Sequence, residues 1–436
     1  MKQPVFKTLT LDAIVGGGQT IGTLADGKKA FVWGGLPRET VTIQLTKSRS
    51  RLVEGTVTNI ETPARDRISP KDPDSYLSTS PWQIMTFEAE QHYKASLIEE
   101  AFELHNIVLP EPIDIYSDGK QYEYRNKIEY SFWFDTETNS LSLAFFRRGT
   151  HGKIPIDHTS LANPAITSLS KVILETLNTM NIEGRALKTL LIRCNVKGET
   201  AWQLYVKDED FPTDELLEKV SSAFVRGEVI FSNPKSPASI ITKRLGVKGS
   251  ASLSDTILGV PFSYATEGFF QINLPVYEQA LVDMKRWVEK DAPLTDLYSG
   301  VGTIGLTIAE GLVTLVEVNE HAVNEMNNNI AALGKTQHAK AILAASENAL
   351  DYITNDGTII VDPPRAGLHE AVIETLLKAK PKRIIYLSCN PVTQARDVAL
   401  LAAEYGIRAH KGYNFFPRTP HIEHLVVLDL LPDVAV

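Results

Sequence analysis

Asp296-Leu-Tyr-Ser-Gly300-Val-Gly302-Thr-Ile-Gly305 is the stretch that decides the fold. It joins an apolar strand to a helix. Glycines in such a turn let a ligand approach the backbone, with the helix N-terminus beyond it. The string satisfies G-x-G-x-x-G, the dinucleotide fingerprint, a weak signal when alone. An ordinary tight turn is the plainer alternative. Two details point away from a dinucleotide. Asp296 precedes the turn, and a carboxylate repels a pyrophosphate but welcomes a cationic amino acid. Glu317 follows 21 residues later, where a carboxylate accepts both hydroxyls of an adenosine ribose. S-adenosyl-L-methionine carries a sulfonium, a zwitterionic methionine and an unphosphorylated ribose. It suits this loop better than NAD.

Outward from this turn the grammar is strand–helix alternation. Strands are expected at 294–298, 313–318, 341–345, 358–362, 383–388, 407–413 and 425–431, with helices at 304–310, 320–333, 370–379 and 393–405. The pattern predicts a doubly wound, mostly parallel sheet of the Rossmann-like type over residues 263–436, with ligands beyond the carboxyl ends of its strands. Upstream, 122–262 mixes strand-like runs (127–134, 140–146, 189–195, 201–206) with helix-like ones (164–180, 214–225), an α+β central domain. Residues 69–121 read as a Pro- and Ser-rich linker followed by a helix over 82–105. Residues 1–68 hold five short strands (8–14, 21–24, 29–32, 40–47, 52–60) between Gly-rich turns, which suggests a small OB-like β-barrel.

The chain has 436 residues, enough for two to four domains, with 43% hydrophobic and 22% charged residues. Such a composition supplies several cores and excludes disorder as the main state. No stretch is long and apolar enough for a membrane span, and the first residues read as neither signal nor transit peptide. The two cysteines cannot build a disulfide framework, so a cytoplasmic location is expected. The chain carries a net charge of −9. That excludes a uniformly basic coat but not a local basic patch. Residues 1–68 hold ten Lys and Arg against six Asp and Glu, densest at Lys47, Arg49 and Arg51. A solvated hairpin explains that run; on a barrel, contact with a nucleic-acid backbone becomes the sharper reading.

Three further strand ends carry chemistry. Asp362-Pro-Pro-Arg-Ala-Gly-Leu368 closes one with a stiff turn that leaves the Asp pointing over the sheet edge; the bland alternative is a rigid turn. Cys389 ends the next strand, just ahead of a helix N-terminus, where a thiolate is stabilised. A free cysteine is more usually a small buried hydrophobe, and Cys194, mid-strand, keeps that reading. Pro417-Arg-Thr-Pro-His-Ile-Glu423-His424 offers a carboxylate beside an apolar run. Glu423 is either a buried acid/base or a solvated rim residue. Two histidines without a third ligand make no metal site.

Taken together, Gly268-Phe-Phe-Gln271-Ile-Asn273, the Asp296 turn, Val361-Asp-Pro-Pro-Arg-Ala-Gly-Leu, Leu387-Ser-Cys-Asn-Pro and Thr419-Pro-His-Ile-Glu423 resemble the RNA uracil-5-methyltransferase family from end to end. The resemblance implies S-adenosylmethionine-dependent formation of 5-methyluridine, in 23S ribosomal RNA by first expectation and in transfer RNA as the alternative. It implies Cys389 as nucleophile, Glu423 as general base, and Gln271, Tyr298, Gly300, Thr303, Glu317 and Asp362 around the cofactor and the base. Residues 1–68 resemble the family's TRAM domain. With Lys47, Arg49 and Arg51 there, and Arg125 and Lys127 in Tyr124-Arg-Asn-Lys127, RNA contacts are expected. Many members carry a four-cysteine iron–sulfur cluster. The similar segment 74–91 has no cysteine, so no cluster and no metal is expected, nor an obligate protein partner. Two rival readings remain: an RNA-binding or ribosome-assembly factor with a silent catalytic domain, and an NAD-dependent oxidoreductase resting on G-x-G-x-x-G alone.

Overall fold

The computed structural model describes residues 3–150, 152–249 and 252–432. Strands β1 (Phe6–Ile14), β2 (Thr20–Thr23), β3 (Lys29–Trp33), β4 (Thr40–Ser48) and β5 (Leu52–Thr62) close a barrel in the order β1-β2-β3-β5-β4. Alternate residues, among them Leu9, Leu11, Val32, Val41, Ile43 and Val53, fill its interior, as period-2 patterning requires. Glu39, fully buried, accepts from Arg67 Nε and Nη2 at 2.5 and 2.7 Å and from the Leu36 and Ala64 amides. This bidentate pair pins the barrel to the chain that leaves it.

The connecting segment is more than a linker. It forms α1 (Tyr76–Thr79), α2 (Phe87–Glu103) and β6 (Ile115–Tyr116). The helix expected from Trp82 begins only at Phe87. Trp82 is instead folded into a buried turn, its indole N–H donating to the Gly18 carbonyl at 3.1 Å, and Thr86 supplies the cap, accepting from the Ala89 amide. Gln83 donates to Asp72 Oδ2 and Ser80 Oγ, and Ser160 Oγ donates to the same Asp72 oxygen at 2.8 Å. Side-chain hydrogen bonds thus tie this segment to the central domain. Helix α2 carries a buried ion pair, Lys94 Nζ to Glu90 Oε1 at 3.2 Å, and Lys94 also donates to Asn414 Oδ1 and the Phe416 carbonyl.

The central domain consists of β7 (Lys127–Asp135), β8 (Ser140–Phe146), β9 (Lys153–Ile156), α3 (Pro164–Thr179), β10 (Leu187–Cys194), β11 (Thr200–Val206), α4 (Thr213–Lys219), β12 (Arg226–Phe231) and β13 (Lys243–Lys248). Its sheet runs β13-β12-β11-β10-β7-β8-β9. The helix expected over 214–225 stops at Lys219, so β12 can form. Cys194 is fully buried in this core, as expected. A hairpin, β14 (Leu253–Ile257) and β15 (Val260–Tyr264), and α5 (Leu274–Lys285) lead into the last domain.

That domain holds β16 (Leu294–Leu297), α6 (Thr303–Ile308), β17 (Val313–Glu317), α7 (Glu320–Ala332), β18 (Ala339–Leu343), β19 (Thr358–Val361), α8 (Glu370–Ala379), β20 (Arg383–Ser388), α9 (Pro391–Leu401), β21 (Tyr405–Tyr413) and β22 (Glu423–Leu430). The sheet order is β18-β17-β16-β19-β20-β22-β21-β6. Strands β16 to β20 pair in parallel, β22 runs antiparallel between β20 and β21, and β6 borders β21. The order reverses at β16, so a crevice opens between β16 and β19 at the carboxyl ends. Among the described residues no helix is long and apolar enough to cross a membrane.

Lys94→Met leaves the Glu90 carboxylate buried without its nearest cation. Breaking such a pair from one side costs about 3–5 kcal/mol. The expected outcome is a lower denaturation midpoint followed by Trp82 fluorescence, partly restored in Lys94→Met/Glu90→Gln.

Candidate active site

Each expected residue on the catalytic sheet sits at the same edge. Strand β16 runs into the Asp296 turn, β17 ends at Glu317, β19 ends before Asp362 and β20 before Cys389. Strand β22 is antiparallel, so its first residue, Glu423, arrives at that edge too. Ser388 pairs with His424; continued by one residue, this register sets Cys389 opposite Glu423. Side chains so opposed lie about 5 Å apart at Cβ.

The turn is held by Asp296, fully buried, whose Oδ2 accepts from the Gly305 amide at 2.9 Å. Its Oδ1 is buried and has no hydrogen-bond partner. An unpaired buried carboxylate oxygen is costly, and an incoming ammonium group would satisfy it. Burial, opposed by the Gly305 hydrogen bond and reinforced by Asp362 and Glu317, pushes Asp296 up to about 8. Gly302, at φ 85°, precedes α6 in the left-handed region that glycine adopts without strain. Tyr298, at φ 65°, does so without being glycine, so the loop around it is firmly held. Glu317 Oε2 accepts from the Gly300 amide at 2.9 Å and Oε1 from the Asn319 amide at 2.8 Å, which leaves lone pairs for a diol. Thr303 Oγ1 shares a 2.7 Å hydrogen bond with Tyr277. Gln271, Tyr298, Gly300, Thr303 and Asp362 line one cavity, beside Phe269 and Phe270.

The groups meant for chemistry are crowded by like charge. Burial raises Asp362 to about 7, and burial with Asp362 beside it holds Glu423 well above the usual carboxylate range, against the pull of Arg365. The expectation that the helix end stabilises a Cys389 thiolate fails. Burial, Glu423 and Asp362 push its thiol up to about 11, with Arg365 pulling the other way. The amide of Val392 in the first turn of α9 is already taken by the Asn390 side chain, and nearby negative charge outweighs what the dipole offers.

The expected RNA contacts divide. Arg49 and Arg51 are exposed at the β4–β5 tip, while Lys47 is paired with Glu54 at 3.1 Å. Arg125 lies beside Tyr124, whose hydroxyl donates to the Pro417 carbonyl at 2.9 Å. Lys127 is a brace rather than a free cation: its ammonium donates to the Glu267 carbonyl at 3.1 Å. With Asn126, which donates to the Gln271 carbonyl at 2.9 Å, and Arg193, which donates to the carbonyls of Ala265 and Gly268, it anchors the loop that carries Gln271. Sequence reasoning gave no role to Phe269, 72% exposed at the cavity mouth, while Phe270 stacks on Tyr264 with centroids 3.9 Å apart. It also gave none to Arg365. The doubled aromatic and the cation after two prolines were the available signals.

The profile of the tRNA (Uracil-5-)-methyltransferase family matches residues 87–430. The chain belongs to this family. A relative from Enterococcus faecalis named as an uncharacterized RNA methyltransferase is 28% identical, covering 91% of this chain and 92% of its own. One of the same description from Halalkalibacterium halodurans is 27% identical over 91% of each chain. The crystal structure of Pyrococcus abyssi tRNA (uracil-54, C5)-methyltransferase in complex with S-adenosyl-L-homocysteine superposes with a TM-score of 0.79, covering 97% of this chain and 100% of that one at 21% identity. The family membership makes the chain an RNA (uracil-5-)-methyltransferase, and the superposition confirms a multidomain α/β fold.

A carboxyl whose folded pKa is raised binds its proton more tightly in the folded state, so stability falls as pH climbs from the ordinary value towards the raised one. For Asp296 that window is about 4 to 8. Asp296→Asn keeps an acceptor for Gly305 and removes the ionisation. Its melting temperature relative to wild type is expected to rise between pH 5 and pH 8, while S-adenosylhomocysteine affinity falls.

Proposed function

We propose that this protein methylates C5 of uracil in RNA, with S-adenosyl-L-methionine as methyl donor, through a transient bond from Cys389 to C6. The register that opposes Cys389 and Glu423, beside the cavity lined by Asp362, carries this reading. The residues fit the cofactor: Asp296, with its unpartnered Oδ1, would hold its ammonium, Glu317 would accept from its ribose hydroxyls, and Gly300 and Thr303 would border the rest. The bound cofactor supplies an electrophilic methyl group. Every other step falls to the chain's own side chains.

Uracil C5 is a weak carbon nucleophile. Attack on C6 by the Cys389 thiolate, its proton first lost to solvent, turns the ring into an enolate with negative charge at C5. Arg365 is the cation that offsets charge at the sulfur and at Glu423. Once C5 carries the methyl group, ionised Glu423 takes the C5 proton and the C6–S bond breaks, releasing the thiolate. General-base help of this kind is typically worth about 10²–10⁴-fold. Gln271 is within the same cavity to hydrogen-bond a uracil carbonyl, and Phe269 offers a face for stacking. The base is taken from an unpaired loop or flipped out of a helix.

The barrel is assigned as a TRAM domain that holds flanking RNA through Arg49 and Arg51. We assign 23S ribosomal RNA as substrate, with transfer RNA as the alternative. The Pyrococcus protein and the family description both name the latter. Mass mapping of 5-methyluridine in RNA from cells with and without the gene decides between them.

Cys389→Ala is expected to abolish turnover and the covalent adduct with 5-fluorouridine RNA, because fluorine at C5 blocks the final proton removal. Glu423→Gln is expected to form the adduct with ordinary RNA yet turn over about 10²–10⁴-fold more slowly. Both are read on denaturing gels and by methyl incorporation. An adduct retained in Cys389→Ala would overturn the mechanism.

A further inference from the structure

The segment 417–421 is where every part of the molecule meets. Tyr124 of the central domain donates to the Pro417 carbonyl. The Trp82 amide donates to the Arg418 carbonyl at 3.1 Å. Gly18 of the barrel lies so close to Pro420 that a Cβ there would stand 2.1 Å from its side chain. His421 Nδ1 lies 2.9 Å from Arg365 Nη2.

Three arginines gather around this junction. Arg365 is exposed and follows the Asp362 turn; its carbonyl is fixed by Asn390 Nδ2 at 2.9 Å and Thr393 Oγ1 at 3.1 Å. Arg125 leans on Tyr124, its guanidinium 5.9 Å from the ring centre. Arg148 lies 4.1 Å over the Trp33 ring of the barrel and donates through Nε to the Leu77 carbonyl. Among the described residues none of the three is in an ion pair with a carboxylate. Lys94, also near, is committed to Glu90. The His421 ring senses all four cations: burial first, then Arg365, Arg125, Lys94 and Arg148, push it down to about 3. It is neutral at working pH and orients Arg365 by accepting a hydrogen bond, adding no charge of its own.

Arg365 faces Glu423, whose charge it offsets in part, while Arg125 and Arg148 have no carboxylate partner, and an arriving anion relieves the repulsion among the three. Guanidinium groups match phosphate oxygens in geometry as well as charge. We infer that Arg125, Arg148 and Arg365, with His421 orienting the last, form a pocket for a backbone phosphate of the RNA close to the nucleotide held by Cys389 and Glu423. The inference rests on the reading of this site as an RNA-modifying one and adds what grips the strand beside it. A sheet-edge pocket of this kind fixes the register of the chain without reading its sequence.

The test uses the full chain and a fluorescent 20-nucleotide single-stranded RNA, with anisotropy followed over a series of KCl concentrations. Each phosphate contact on a single strand contributes a slope of about −0.7 in log K against log salt. Arg125→Gln/Arg148→Gln, which leaves Arg365 beside Cys389 and Glu423 untouched, is expected to bind at least tenfold more weakly at low salt, with a slope shallower by about 1.4. Its S-adenosylhomocysteine affinity, measured by calorimetry, should match wild type and so report an intact fold. A methylphosphonate version of the RNA should weaken wild type more than the variant. An unchanged slope in a variant that still binds S-adenosylhomocysteine overturns the pocket. If wild type shows the slope difference yet never methylates RNA, the pocket stands and the reading of the reaction falls; a methylating enzyme without that difference sinks the pocket alone.

Discussion

The pairing of antiparallel β22 against parallel β20 is the constraint on which the site depends. A sheet that were parallel throughout would send the two ends of β22 the other way, and Glu423 would lie at the far edge from Cys389. One inverted strand brings the start of the last hairpin strand to the carboxyl ends of the others. The hydrogen-bonded register from Arg383–Asp429 to Ser388–His424 then fixes the opposition to within a residue. A slip of one would turn Glu423 to the other face of the sheet. Gln394, fully buried, secures this by donating to the carbonyls of Tyr386 on one strand and His424 on the other.

The same edge collects negative charge. Asp296 and Glu423 are withdrawn from water and Asp362 is partly so at the cavity wall, and each is held above its ordinary pKa chiefly by burial. These groups hold protons that the site must shed or share before the sulfur can attack. Arg365 is the cation that both Cys389 and Glu423 feel, and it comes from the stiff turn two prolines after Asp362. Those prolines lack amide donors and stiffen the backbone between the carboxylate and the guanidinium. The resting arrangement suits a reaction in which charge appears on a bound ring rather than on the empty enzyme.

Much of this was legible in the sequence, and the reasons are local. The barrel strands are readable to within about two residues because their alternation is dictated by one buried face, and the catalytic strands because buried parallel strands are apolar runs bounded by turn residues. The proposed site residues Asp362 and Cys389 stood out because each follows such a run directly, whereas Glu423 opens its strand and was singled out by the polar turn before it. What escaped depends on distant partners. Trp82 and Gln83 fit a helical pattern, but the Gly18 carbonyl and the Asp72 carboxylate claim them. Lys127 looks like a surface cation until the Glu267 carbonyl is brought to it by the fold. The dipole argument for Cys389 failed for the same reason: burial raises its pKa first, and the carboxylates that raise it further are 27 and 34 positions away in the chain, made neighbours only by the sheet.

The junction at 417–421 shows why the parts are not independent modules around a catalytic core. Barrel, connecting segment, central domain and catalytic sheet each contribute a contact to that short turn, and the turn leads directly into Glu423. Nearby, Lys94 and Glu90 from α2 hold Asn414, Phe416 and Arg418 through buried hydrogen bonds. The position of Glu423 is therefore set by the docking of all four parts, not by β22 alone. On the proposed reading, RNA engaged by the barrel or the central domain would touch the same framework that positions Glu423, linking substrate capture to proton removal. A catalytic sheet cut away from its neighbours would keep its strand order but lose the contacts that hold its base in line with the sulfur.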